Sequence, residues 1–275
     1  MPIGYNTNGF AFHRLDDAID IIAELGYRCV AITVDHGALN PYDEDIAEQT
    51  GRVREQLNRL GLSSVIETGA RFLLDPKQKH QPTLLDRRAG GREKRTDFLE
   101  RCIKIAAELG ADAVSLWSGA IPRRQGEEAA FDLLVQSCQG LSDCAAERDG
   151  VLAFEPEPGM FVDTLAGYER LADAVGRENF RLTIDIGHLQ YNEAEPPGDL
   201  IRRYGGQIAN VHLDDMRRGV HDHLFFGDGE VDFGEVFEAL TEVGYQGPAC
   251  VELSRHSHDA VETARRARRF LERFR

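Results

Sequence analysis

Eight short runs of β-branched and other apolar residues punctuate the chain, and stretches with helical spacing of apolar side chains separate them. The runs are IGYNT (3–7), CVAITV (29–34), SSVIET (63–68), AVSLW (113–117), VLAFE (151–155), RLTID (181–185), IANVH (208–212) and ACVEL (249–253). Between them, LDDAIDIIAELG (15–26) places Leu15, Ala18, Ile19, Ile22 and Leu25 on one face, with two aspartates in the first turn and a glycine stop. TDFLERCIKIAAELG (96–110) and FGEVFEALTEVG (233–244) repeat that design. Strand and helix alternating in this way predict a parallel sheet with helices outside it. The 275 residues suit a closed (β/α)₈ TIM barrel, for which ~250 residues is typical. An open doubly wound sheet is the rival, but it usually seats a nucleotide on a Gly-rich first turn. Here that turn reads YNTNGFAFHRL (5–15) and has no such pattern. No linker or composition break interrupts the chain, so residues 1–275 are expected to form a single α/β domain. The connection at 69–90 exceeds ordinary loop lengths and reads as a functional or partly covering loop.

Charge narrows the function classes. The net charge of −15 repels phosphodiester backbones and anionic lipid, so neither nucleic acid nor membrane is an expected partner. The first residues, MPIGYNTNGF, lack a signal peptide's charged and apolar regions, and no apolar stretch is long enough to span a bilayer, which together predict a cytoplasmic protein. Cys29, Cys102, Cys138, Cys144 and Cys250 form no CxxC pair and are read as small buried hydrophobes in a reducing compartment.

In a barrel of this type the reactive groups gather where strands end at the C-terminal face. Four consecutive strands here end on ionisable side chains: Glu155, Asp185, His212 and Glu252. Burying three carboxylates together costs several kcal/mol each unless they are paired, and a cation offsets that cost. Three carboxylates with one imidazole suit Mn²⁺, Mg²⁺ or Co²⁺ and also accommodate Zn²⁺. Each residue taken singly also fits a strand-end group bonded to a neighbouring loop. In VLAFEPEPGM (151–160) both Glu155 and Glu157 precede proline, which keeps them extended and points both carboxylates the same way.

Glu155, Asp185, His212 and Glu252, together with DIGH (185–188) and VHLDD (211–215), resemble the xylose-isomerase-like TIM-barrel superfamily, in particular its sugar isomerase and epimerase branch. The resemblance covers the chain by strand order, with its specific motifs in the second half. It implies a metal-dependent isomerase or epimerase of a carbohydrate or keto-polyol. One divalent metal would be held by those four side chains, and Glu155 and Glu252 would exchange the substrate proton. It further implies substrate contacts from His188 and Glu157. The chemistry is coherent with this: removing a proton beside a carbonyl builds negative charge that a cation stabilises, and two carboxylates on opposite faces take and return the proton.

Other side chains fall near the same mouth. Glu67 ends the third strand, where it either contacts substrate or pairs with Arg71 or another arginine. His36 follows the second strand as a substrate contact or a packed loop residue. Trp117 ends the fourth as an apolar wall beside a sugar ring or as core filling. The segment DDMRRGVHDHLFFGDGEVDF (214–233) carries Arg217, Arg218, His221 and His223; of these His223 and Arg217 are selected as substrate contacts, with a surface loop as the alternative. The glycines of GDGE (227–230) read as a turn.

Three rivals remain. Dehydratases of keto-inositols or dehydroshikimate use the same metal geometry. Abasic-site endonucleases share the barrel but need more histidine ligands and a basic groove. A non-catalytic sugar-binding protein would not need the metal set. Oligomeric state is not legible, although association through exterior helices is common among metal-dependent sugar isomerases.

Overall fold

The computed structural model describes residues 1–123 and 125–274. Eight parallel strands close into a barrel. They are β1 (Ile3–Asn6), β2 (Cys29–Thr33), β3 (Ser63–Glu67), β4 (Val114–Leu116), β5 (Leu152–Phe154), β6 (Phe180–Asp185), β7 (Ile208–Leu213) and β10 (Ala249–Val251). Closure is made by β1, which pairs with β2 on one side and β10 on the other. Packed outside are α1 (Leu15–Glu24), α2 (Ile46–Leu60), α3 (Ala89–Leu109), α4 (Glu127–Ala146), α5 (Leu165–Val175), α6 (Ile186–Asn192), α7 (Pro197–Tyr204), α8 (Phe233–Glu242) and α9 (Ala260–Leu271). The expected barrel is therefore the observed one. No helix among the described residues is long and apolar enough to cross a membrane.

The apolar residues divide into two clusters, and the division explains where the site lies. The larger fills the shell between strands and helices, with Ile19 and Ile22 of α1 and Phe98, Leu99 and Cys102 of α3 fully or almost fully buried there. A smaller one joins Cys29, Ala31, Val65, Ala113, Ala153 and Cys250. These side chains are small, as the crowded lumen of a barrel requires. Gly4 takes this economy furthest: a Cβ there would lie 2.4 Å from Cys250 Sγ. Because strand side chains alternate between faces, two residues beyond members of this cluster the same face carries Thr33, Glu67, Ser115, Glu155 and Glu252, and in β7 His212 follows the buried Asn210 in the same way. The lumen is thus apolar at one end and polar at the other.

Two segments depart from expectation. α3 begins at Ala89, seven residues before the stretch with a clear apolar stripe, because Gly90, Gly91 and the charged residues around them extend the helix without adding to that stripe. After β7 the chain forms a hairpin, β8 (Asp215–Arg217) and β9 (Val220–Leu224), in a region read as loop. Three of the five residues of β9, His221, Asp222 and His223, are not apolar, and the strand is partly or fully exposed, so no hydrophobic alternation marks it. The GDGE glycines do form a turn, organised by the buried Asp215 carboxylate, which accepts the N–H groups of Gly227, Gly229 and Val231 at 2.8–3.0 Å.

Candidate active site and metal centre

Glu155 and Glu252 each sit one residue beyond a strand, and each donates its backbone N–H to the neighbouring strand, to Leu116 O at 2.8 Å and Leu213 O at 2.9 Å. The ladder thereby fixes both side chains although the strands have formally ended. Pro156 and Pro158 then stop β5, since proline has no N–H to continue the ladder. Asp185 closes β6 and caps α6, its Oδ1 accepting the N–H of His188 at 2.8 Å. Gly187 in that first turn donates its N–H to Asp214 Oδ1 at 3.0 Å, and a Cβ at Gly187 would lie 2.2 Å from the same atom. The glycine of the DIGH motif is therefore required by contact.

Glu155, Asp185, His212 and Glu252 converge, each offering a donor atom within 4.8 Å of the others. His212 Nδ1 lies 3.0 Å from Glu155 Oε1, 2.9 Å from Glu252 Oε2 and 3.9 Å from Asp185 Oδ2. Its other nitrogen, Nε2, lies 2.8 Å from Glu67 Oε1. With Nε2–H donated to Glu67, Nδ1 presents a lone pair to three carboxylates, an arrangement of acceptors that only a cation or a proton reconciles. Asp185 Oδ2 is buried and has no hydrogen-bond partner. These donors fit a divalent metal.

The electrostatics record the same crowding. Burial pushes Glu155 up to about 7, against the pull of His212. Burial, reinforced by Glu155, drives Glu157 well above the ordinary carboxylate value. Burial also raises Glu252, but His212, by charge and hydrogen bond, outweighs it and leaves this carboxyl below its usual range. Burial lowers His188 to about 4. For His223 burial is overcome by Asp214, which holds the imidazole up near 10.

A cavity of about 290 Å³ opens over these groups and is lined also by Glu67, Glu157, Trp117, His188, His221 and His223. His188 approaches both glutamates, with Nδ1 3.6 Å from Glu155 and Nε2 3.9 Å from Glu157. Trp117 is one wall of the cavity, with His80 edge-on at 5.5 Å between ring centres and the buried Arg95 guanidinium 4.8 Å behind its ring. Glu67 bonds His212 and Asn210, not an arginine; Arg71 instead faces Asp35.

Two sequence-selected residues lie elsewhere. Arg217 is on the exposed side of the hairpin, donating to Asp228 O at 2.7 Å. A register shift between Asp215 and Arg217 breaks the alternation that would otherwise put both on one face, so Asp215 stays buried while Arg217 is exposed, and His221 of the facing strand reaches the cavity instead. His36 is exposed on the loop after β2, where it lines a neighbouring cavity of about 440 Å³. Conversely, sequence reasoning passed over Asn8, which donates Nδ2 to Glu252 Oε1 at 2.7 Å, Asn210, which donates to Glu67 Oε1 at 3.0 Å, and His80 and Arg71 of the long loop. Asn210 was findable, since it precedes His212 by two positions and so shares its face of the strand.

The chain is similar to known enzymes in sequence and in fold. An inosose dehydratase of Lacticaseibacillus casei is 27% identical over 205 residues, covering 65% of this chain and 68% of that protein. An L-ribulose-5-phosphate 3-epimerase of Salmonella heidelberg is 26% identical over 237 residues, covering 86% and 80%. Among solved structures, a D-allulose 3-epimerase from Methylomonas sp. superposes over all of this chain and 98% of its own with a TM-score of 0.80 at 19% identity. The family model described as xylose isomerase-like TIM barrel matches residues 14–274, and the chain therefore belongs to the xylose isomerase-like TIM-barrel family.

Proposed function

We propose that this protein is a divalent-metal-dependent isomerase or epimerase of a sugar or sugar-like keto-polyol, with Mn²⁺, Mg²⁺ or Co²⁺ at the site formed by Glu155, Asp185, His212 and Glu252. The observation that carries the reading is the meeting of His212 Nδ1 with three carboxylates around a polar cavity. The bound cation would polarise the substrate carbonyl and hydroxyl oxygens and stabilise negative charge next to the carbonyl. Glu155 and Glu252 face this point from β5 and β10, which are not neighbours in the barrel. Such a pair can take a proton on one face of a carbon and return it on the other. Asn8 holds Glu252 by its Oε1, which orients that carboxylate before substrate arrives. In this reading His188 and Glu157 hydrogen-bond substrate hydroxyls, and Trp117 packs against the ring's C–H side. The cavity volume suits a small polyol.

A keto-inositol dehydratase is the second reading, favoured by the similarity to inosose dehydratase. It begins with the same proton abstraction and differs in expelling a hydroxide. Incubation of Mn²⁺-loaded protein with ketoses, aldoses and keto-inositols in D₂O, read by mass spectrometry, separates the two. An isomerase or epimerase adds deuterium with no other mass change, a dehydratase loses water, and no exchange with any member of the panel contradicts both.

A further inference from the structure

The cavity of about 440 Å³ that His36 lines is continuous with the one over the four donors, because Asn8, Thr33 and Arg71 line both. At this partition Asn8 donates Nδ2 to Glu252 Oε1 at 2.7 Å. Its Oδ1 is buried and has no hydrogen-bond partner, and the residue is only 9% exposed. A buried amide oxygen left without a donor is costly, and a ligand hydroxyl lying at the partition would satisfy it. Beyond Asn8 the lining turns apolar, with Phe10, Leu15, Ala18 and Phe72. Phe10 is held edge-on by Tyr5 and His13, with ring centres 5.4 and 5.1 Å away. Asp35 and Ala38 exchange two backbone hydrogen bonds of 3.0 Å, which fix the turn that carries His36 and Gly37 along this cavity. Phe72 is 45% exposed although it belongs to the same lining, so a large apolar face stands ready for an apolar group. The Arg71 charge is already faced by Asp35, Nη1 to Oδ2 at 3.6 Å, and Nη2 donates to Asn8 O at 3.2 Å. The partition therefore favours a neutral ligand over a phosphate.

We propose that the substrate is a keto sugar bearing an apolar ring on its glycosidic oxygen, with the sugar over the four donors and the ring in the cavity lined by Phe10 and Phe72. The inference rests on the isomerase or epimerase reading above. A glycosidic bond consumes the anomeric carbonyl, so the carbonyl that activates the exchanged proton lies on another ring carbon. The reaction that supplies such a substrate is therefore the oxidation of a glycoside's secondary hydroxyl to a ketone. Asn8 acts twice, orienting Glu252 through Nδ2 and accepting a sugar hydroxyl at Oδ1. His36 serves as a wall for the aglycone and does not reach the sugar.

The test gives Mn²⁺-loaded protein two probes, the methyl and phenyl β-glucosides oxidised to the ketone at C3, and measures calorimetric affinity alongside deuterium exchange from D₂O. The phenyl probe should bind about 10- to 50-fold tighter, as expected for burial of one aromatic ring. Gly37→Trp fills the second cavity from a position where a Cβ meets nothing within 4 Å, and Phe72→Ala removes part of its wall. Both variants should lose most of the preference for the phenyl probe, with circular dichroism, methyl-probe affinity and methyl-probe exchange unchanged. Equal affinity for the two probes, no binding of the phenyl probe, or a preference that survives both variants overturns the aglycone subsite. Exchange into the methyl probe in that case leaves the isomerase reading standing. A phenyl preference lost in both variants, with no exchange into either probe, supports the subsite and counts against the proton-transfer reading.

Discussion

The Glu67 carboxylate and the His212 imidazole meet at 2.8 Å, Oε1 to Nε2, and both are buried. Glu67 ends β3 and His212 lies in β7, so the contact spans the lumen and decides which histidine nitrogen faces the remaining carboxylates. Replacing Glu67 with alanine should weaken metal binding by about 10–100-fold, the usual effect of losing an outer-shell partner. Glu67→Gln, which keeps an acceptor oxygen, should lose less. Calorimetric titration with Mn²⁺ reads both, and equal affinity in all three proteins would deny Glu67 its orienting role.

Metal binding should strengthen with pH. Burial holds Glu155 up to about 7 in the metal-free protein, and a cation binds the ionised form. Affinity should therefore fall by about tenfold or more per pH unit below 7 and go on rising above it, because the carboxylates of Glu67, Glu252 and Glu155 overcome burial and hold the His212 imidazole well above its ordinary value, with protons released on binding, detectable as a buffer-dependent enthalpy. The folding contribution has the opposite sense. A carboxyl whose folded pKa is raised binds more protons when folded, so its contribution to metal-free stability declines as pH rises from about 4.5 to 7. Thermal melts in chelator across that range, with and without Glu155→Gln, measure it.

Glu155→Gln and Glu252→Gln should each slow exchange of solvent deuterium into substrate by about 10²–10⁴-fold, the range typical of a lost general acid or base. Circular dichroism should be unchanged. Exchange at the unmodified rate in both variants would remove the paired-base role.

Gly187→Ala drives a methyl group into Asp214. Overpacking of this kind typically costs about 1–3 kcal/mol, read as a lower urea midpoint at constant slope. Asp214 supports His223 at 2.6 Å, so the same variant should also disturb ligand binding in the cavity. An unshifted midpoint would show that the α6 turn yields without cost.

The barrel and the four converging side chains were legible because they obey one repeated rule: an apolar run, then an ionisable residue where the strand ends. Glu155, Asp185, His212 and Glu252 all follow it. What escaped obeys different physics. The β8–β9 hairpin is held by Asp215 and its glycine turn, with no hydrophobic stripe to announce it, so the inward turn of His221 and the outward turn of Arg217 depended on a register the sequence does not display. Glu67 was visible as a strand end, but its partner across the lumen, 145 residues away, is fixed only by closure of the barrel. His36 follows its strand as the others do, yet the loop carries it into the adjoining cavity.

Crystals grown with saturating Mn²⁺ and measured for manganese anomalous scattering give the most direct test of the metal centre. The expected result is a strong peak enclosed by Glu155, Asp185, His212 and Glu252, with His212 bound through Nδ1 while Nε2 stays on Glu67. A site without signal, or manganese bound with Asp185 outside its coordination sphere, would contradict the account.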